Sequence, residues 1–249
     1  MSGRRLVGLL SVLAAAVAAS LCVVAGIRHL QRARCDIFAA VKDNDAERIQ
    51  DCVERGAKAD SRDKLGVTPL HLAAWYGYEQ CAEVLIARDA EVGATDTRGN
   101  TPLHYAVRRS RAQVVKVLLE AGADPDAQNS AGQSPLHLAA GHLCGGVAET
   151  LIKSGASVGI RDARGRTALF AAVAVGDKDM VTYLARCGAS LNVVDTQGNT
   201  LVGIAGTNRT MRALLSSLGK GRDRDLKSMD AGGSGSAPRS MMQKRRQGG

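Results

Sequence analysis

The sequence predicts an all-α solenoid of stacked helix–turn–helix units joined by β-turn or hairpin loops, preceded by one N-terminal hydrophobic helix. Three periodic markers carry this prediction. Leu70, Leu103, Leu136 and Leu169 lie 33 residues apart, in "TPLHLAA", "TPLHYAV", "SPLHLAA" and "TALFAAV", and further steps reach Ile37 and Val202. Gly66, Gly99, Gly132, Gly165 and Gly198 keep the same beat two residues before each Thr or Ser, and "GA" recurs at Gly56, Gly122, Gly155 and Gly188. Such self-similarity marks a repeat architecture. Six units follow, starting near 35, 68, 101, 134, 167 and 200 and ending near 218.

The N-terminal segment, 1–34, comes first. Leu6 to Ile27 is an uncharged run of 22 residues between Arg4-Arg5 and Arg28, Arg32 and Arg34. As a helix it spans about 33 Å, enough for a hydrocarbon core of roughly 30 Å. This predicts a single-pass membrane anchor followed by a basic linker. A cleaved secretory signal is the alternative, with "AVA" at Ala16 to Ala18 as the cleavage site and a secreted or periplasmic product. The apolar run continues well past that point, which favours the uncleaved anchor. Leu21 before Cys22 disfavours a lipoprotein site. Arginines on both sides leave the orientation open.

The unit from Gly99 to Gln128 shows why each repeat forms two helices. Thr101 is an N-cap and Pro102 suits the first helical position, where no N–H is needed. Leu103, Ala106 and Val107 share a face, a second helix from about Arg111 carries Val114, Val115, Leu118 and Leu119, and Gly122 supplies a left-handed stop. One such pair cannot bury its apolar surface alone, so neighbours must stack on it.

These residues resemble the ankyrin repeat family, whose signature is T-P-L-H-x-A in a 33-residue unit of a β-turn and two antiparallel helices. Repeats two to five match well. Repeat one keeps "IFAAV" and "ERGA", and repeat six loses about two residues before Met211, as expected of terminal units facing water. Repeat two has Asp89 where the others have Gly, which predicts a different end to its second helix.

The resemblance bears on His71, His104 and His137, which occupy one repeating position; in the family this side chain bonds locally to the Thr and adjoining turns. Equivalent residues of stacked helices lie roughly 8 to 10 Å apart, too far to share a zinc whose ligand nitrogens sit about 2 Å away. Phe38 and Phe170 replace the histidine in repeats one and five. No metal or cofactor is expected. Gly-rich phosphate loops, nucleophile elbows, HExxH and paired carboxylates are absent from the sequence, and Asp63, Asp96, Asp162 and Asp195 recur with the repeat as Asx-type turn residues. A non-enzymatic protein-binding scaffold with no small-molecule substrate is expected.

The net charge of +9 belongs to the ends: removing the five arginines of 1–34 and the +5 of 219–249 leaves −1 for the repeats. Nucleic acid is therefore not expected as a partner of the body, and binding of nucleic acid or anionic lipid through the tail is an alternative function. Glycine- and serine-rich, 219–249 is expected to be a disordered basic tail. Cys52 and Cys81 fall in apolar stripes, the remaining cysteines are scattered, and no CxxC occurs, so neither zinc nor disulfides are expected and a reducing compartment is mildly favoured.

The resemblance implies that an unidentified protein partner meets the turn tips and the exposed ends of the first helices. Carried over, these positions include Lys64 and Leu65, Arg98, Arg164 and Arg166 at the tips. On the helices they include Trp75 and Tyr76, with Tyr78 nearby, Arg108, Arg109 and Arg111, and His142. Trp, Tyr and Arg are the side chains most enriched in binding hot spots. Two readings of Trp75 stand open: an interaction surface, or an indole folded over the neighbouring helix under a stacked arginine.

Overall fold

Thr68, Thr101 and Ser134 start helices in the same way, and that shared start builds the repeat. Each sits in extended backbone, and a reciprocal capping box links its side chain to the histidine three residues on. Proline follows each cap, so no amide is wasted at the first helical position. The computed structural model describes residues 35–231 except 143, with side chains as far as 220.

Among these residues twelve helices alternate between two layers. The inner layer holds α1 (Ile37–Lys42), α3 (Pro69–Tyr76), α5 (Pro102–Arg108), α7 (Pro135–Gly141), α9 (Ala168–Val175) and α11 (Leu201–Ile204). The outer layer holds α2 (Ala46–Glu54), α4 (Glu79–Ala87), α6 (Ala112–Glu120), α8 (Gly145–Lys153), α10 (Lys178–Arg186) and α12 (Arg209–Ala231). Each inner helix packs on the next inner helix and on its own outer partner. One apolar core runs between the layers, with Leu70, Leu85, Leu103, Leu118, Leu136, Leu151, Leu169 and Leu184 all fully buried.

Adjacent hairpins are joined by backbone. The amides of Thr97, Ser130, Ala163 and Thr196 donate to the carbonyls of Leu65, Arg98, Ala131 and Arg164 at 2.9 to 3.0 Å. Within each hairpin the glycine two residues before the cap turns left-handed, with φ of 70° to 74° at Gly66, Gly99, Gly132 and Gly165. At Gly132 a Cβ would sit 2.5 Å from the Ala163 amide, so the close approach of hairpins itself requires glycine there. As the sequence predicts, Asp63, Asp96, Asp162 and Asp195 are turn residues: each Oδ1 accepts the amides two and four residues on.

The histidines bond across repeats. His71 Nε2 contacts the Asn100 carbonyl at 3.0 Å, His104 the Gln133 carbonyl at 3.0 Å, and His137 the Arg166 carbonyl at 2.9 Å. Nδ1 accepts the amide of the capping residue at 3.2 Å in all three. A carbonyl only accepts and an amide only donates, so the ring must be neutral with its proton on Nε2. Burial is the main influence holding all three imidazoles below the ordinary histidine value, against the raising effect of the carbonyl bond. Repeat five lacks this bridge. With Phe170 in the histidine slot, Thr167 Oγ1 is the one buried side-chain polar atom without a partner among the described residues.

Four expectations need correction. Cys35 and Cys52 form a disulfide, with Cα atoms 5.3 Å apart. Asp36 takes over capping of α1 by accepting from the Phe38 and Ala39 amides, which frees Cys35, in the threonine slot, to meet Cys52 in the slot that is leucine elsewhere. Repeat two does not end differently: Asp89 adopts φ 61°, the left-handed turn that glycine makes in the other repeats, as a short polar side chain can. In repeat six Leu201 is buried while Val202 is 44% exposed, because α11 is a single turn at the end of the described stack. Finally, α12 continues to Ala231, past the start of the expected tail at Gly219. Isolated glycines cost only about 1 kcal/mol each in a helix that is already nucleated.

Residues 232–249 and the apolar run Leu6–Ile27 lie outside the described residues; no described helix is long and apolar enough to cross a membrane.

Two outcomes follow from the bridges. Thr167→Val removes a hydroxyl that bonds to nothing and should raise the urea midpoint slightly, whereas Thr101→Val breaks a satisfied cap and should cost about 1 to 2 kcal/mol. Stability should also depend on pH. The unfolded histidines take up protons near their ordinary value of about 6.5 while the folded ones resist, so stability is complete above that value and falls as pH is lowered through it toward the depressed folded values. Urea midpoints measured from about pH 7.5 to about pH 5 should decline, and His104→Phe should flatten the slope.

Candidate functional site

A groove of about 410 Å³ opens between the hairpins and the inner helices of repeats two and three. Its walls combine Leu65 and Arg98 from two hairpin tips, Trp75 and Tyr76 from the end of α3, Tyr105 and Arg108 from α5, and Leu138 from α7. The fold builds this groove because the end of each inner helix lies beyond the buried leucine layer. Side chains there extend past the core while the helix beneath them stays fixed.

Trp75 lines the groove and is half-buried. The Arg109 guanidinium stacks 4.3 Å above its ring, and Tyr105 meets it edge-on with centroids 5.8 Å apart. Arg111 Nε donates to the Trp75 carbonyl at 3.3 Å. The reading in which a neighbouring arginine stacks on the indole therefore describes this side chain, although one part of it still faces the groove. Tyr76 is 39% exposed and stacks on Tyr78 at 5.3 Å. Tyr105, which the sequence reading passed over, donates its hydroxyl to Asp96 Oδ2 at 2.9 Å. Burial, reinforced by that bond, pushes the Tyr105 phenol up to about 12, so it stays a donor. For Asp96 burial works upward, but bonds from Asn100, Tyr105 and the Arg98 amide outweigh it and hold the carboxyl below the usual aspartate value.

The remaining expected contact residues separate into groups. Leu65, 63% exposed, joins Arg98 and Arg108 in the groove, while Lys64 is exposed at the tip and does not line it. Arg109 and Arg111 support Trp75 and contribute no groove wall. Arg166 lines a second depression of about 270 Å³ with Phe170, Ala174, Val175 and Ile204, and is paired to Asp162 at 3.1 Å. Arg164 is exposed at its hairpin tip, and His142, exposed at the end of α7, lines neither depression. Among the described residues no group of three or more His, Cys, Asp or Glu could hold a metal ion. Both nitrogens of each repeat histidine are already engaged.

A family model described as ankyrin repeats (3 copies) matches the chain in overlapping registers over 37–129, 98–162, 114–195 and 136–225. The chain belongs to the ankyrin repeat family. A search of the curated proteins finds no match. Membership makes the repeat body a protein–protein interaction module.

Trp75 is the sole tryptophan, so its fluorescence reports on this site alone. Arg109→Ala should move its emission to longer wavelength as water reaches the ring, and should lower stability by about 0.5 to 1 kcal/mol. Unchanged emission would show that the guanidinium does not cover the indole in solution.

Proposed function

We propose that this ankyrin protein is a non-enzymatic scaffold that holds a partner protein in the groove over repeats two and three, and that Leu6–Ile27 tethers it to a membrane. One observation carries the binding assignment: Leu65, Tyr76, Arg98 and Arg108 face a common recess on a rigid, internally bonded frame. Exposed aromatic and arginine side chains beside an apolar recess have the composition of a binding hot spot. Trp75 is a supporting wall, since its upper face is taken by Arg109. Tyr76→Ala together with Arg108→Ala should abolish partner capture by the full chain while the circular dichroism melt stays within a few degrees of wild type. Retained capture would remove this assignment.

The tether rests on the length of the apolar run, and the Cys35–Cys52 bond bears on which side the repeats occupy. Disulfides persist in oxidising compartments, so the bond favours repeats facing the exoplasmic side over the reducing compartment that the scattered cysteines favour. It also supports the second reading, a cleaved and exported protein. Mass spectrometry of the native chain separates the two: an intact Met1 or Ser2 supports the anchor, and a start near Ala19 supports cleavage. Alkylation without reductant that labels both Cys35 and Cys52 would contradict either exported form.

A further inference from the structure

The repeat body is electrically lopsided. No residue of the inner helices α1, α3, α5, α7, α9 or α11 is an Asp or Glu, whereas every outer helix from α2 to α10 carries at least one. The four hairpin aspartates do not cancel this asymmetry as fully as their number implies, because each already accepts two backbone amides. On the same side Arg98, Arg108 and Arg164 are exposed and have no ion-pair partner among the described residues. A body of net charge −1 thus presents three unpaired arginines along the face that holds the groove, although Lys116, Lys178 and Arg186 of the outer helices are unpaired as well among the described residues.

That face is also apolar in two places. Leu65 and Tyr76 are exposed at one depression and Val175 at the other. Both depressions border α7, the first at Leu138 and the second at Gly141, so they follow one another along the inner layer, and we treat them as one track. Gly141 carries no side chain at the border of the second depression.

We infer that the track takes an extended acidic segment of a partner protein, with apolar side chains in the two depressions and carboxylates on Arg98, Arg108 and Arg164. The inference rests on the scaffold function proposed above and names the chemistry of its partner. Charge complementarity selects that occupant. The chain's own C-terminal segment is excluded by sign, since Arg239, Lys244, Arg245 and Arg246 would meet arginine. A nucleic acid suits the track less well, because it would leave the apolar depressions empty. From α3 to α9 is three inter-helix steps, roughly 30 Å, which an extended segment of about nine residues spans.

The test uses the full chain and fluorescein-labelled peptides of about ten residues alternating glutamate with leucine, or lysine with leucine, beside an oligothymidylate of similar length. The glutamate peptide should bind at least about tenfold tighter than the lysine peptide, weaken with salt, and lose at least about tenfold in the Arg98→Glu, Arg108→Glu variant, whose melt should match wild type. Undiminished binding by that variant would trace the signal to the basic C-terminal segment and overturn the inference. So would equal binding of the lysine peptide, or tighter binding of the oligothymidylate. If the glutamate peptide fails to bind while the Tyr76 and Arg108 alanine variant still loses the native partner, the acidic class falls and the scaffold function stands.

Discussion

The structure depends on a neutral imidazole placed between two repeats. His71, His104 and His137 each accept an amide from their own helix start and donate to a carbonyl of the next hairpin, 29 residues on. Both ends of the bond are backbone, so it fixes the geometry of the chain itself. A buried ring with both nitrogens matched contributes stability; the same ring with one unmatched would cost about as much. The capping hydroxyl and the proline beside it hold the imidazole at the angle that makes the match.

This arrangement explains why the hairpins can serve as a binding surface although they are loops. Their tips project into solvent, yet each is braced from within by an Asx turn and tied to its neighbour by a backbone bond and, in three cases, a histidine. A partner therefore meets side chains whose supporting backbone is already ordered, which lowers the entropy lost on association. The same economy appears at Trp75, where Arg109, Arg111 and Tyr105 position the indole from the following repeat.

The ends of the stack solve a different problem. Among the described residues an internal repeat has a neighbour on both sides, while the first has one on one side. Here Asp36 replaces threonine as the cap and a disulfide joins the start of α1 to α2. A covalent link limits how far the two helices of that repeat can separate.

The 33-residue period determined the helix pairs, the leucine core, the turn aspartates and the shared position of the histidines, because each depends on contacts that repeat at fixed separation along the chain; the bonding role of the histidines came from the resemblance to ankyrin repeats. The Cys35–Cys52 pair was not read from the sequence: two cysteines replace scaffold residues of one repeat, but spacing alone does not say that the threonine and leucine slots touch. The contact surface was legible only as a set of positions. Lys64, Leu65, Arg98 and Arg164 occupy hairpin tips, and only Leu65 and Arg98 of these reach the groove. Whether Trp75 faces a partner or lies beneath Arg109, and that Tyr105 joins it, depends on side chains of adjacent repeats meeting in space. Periodicity specifies the backbone on which such side chains stand, whereas their orientation is settled by packing between residues about thirty positions apart, and only the tertiary structure contains that information.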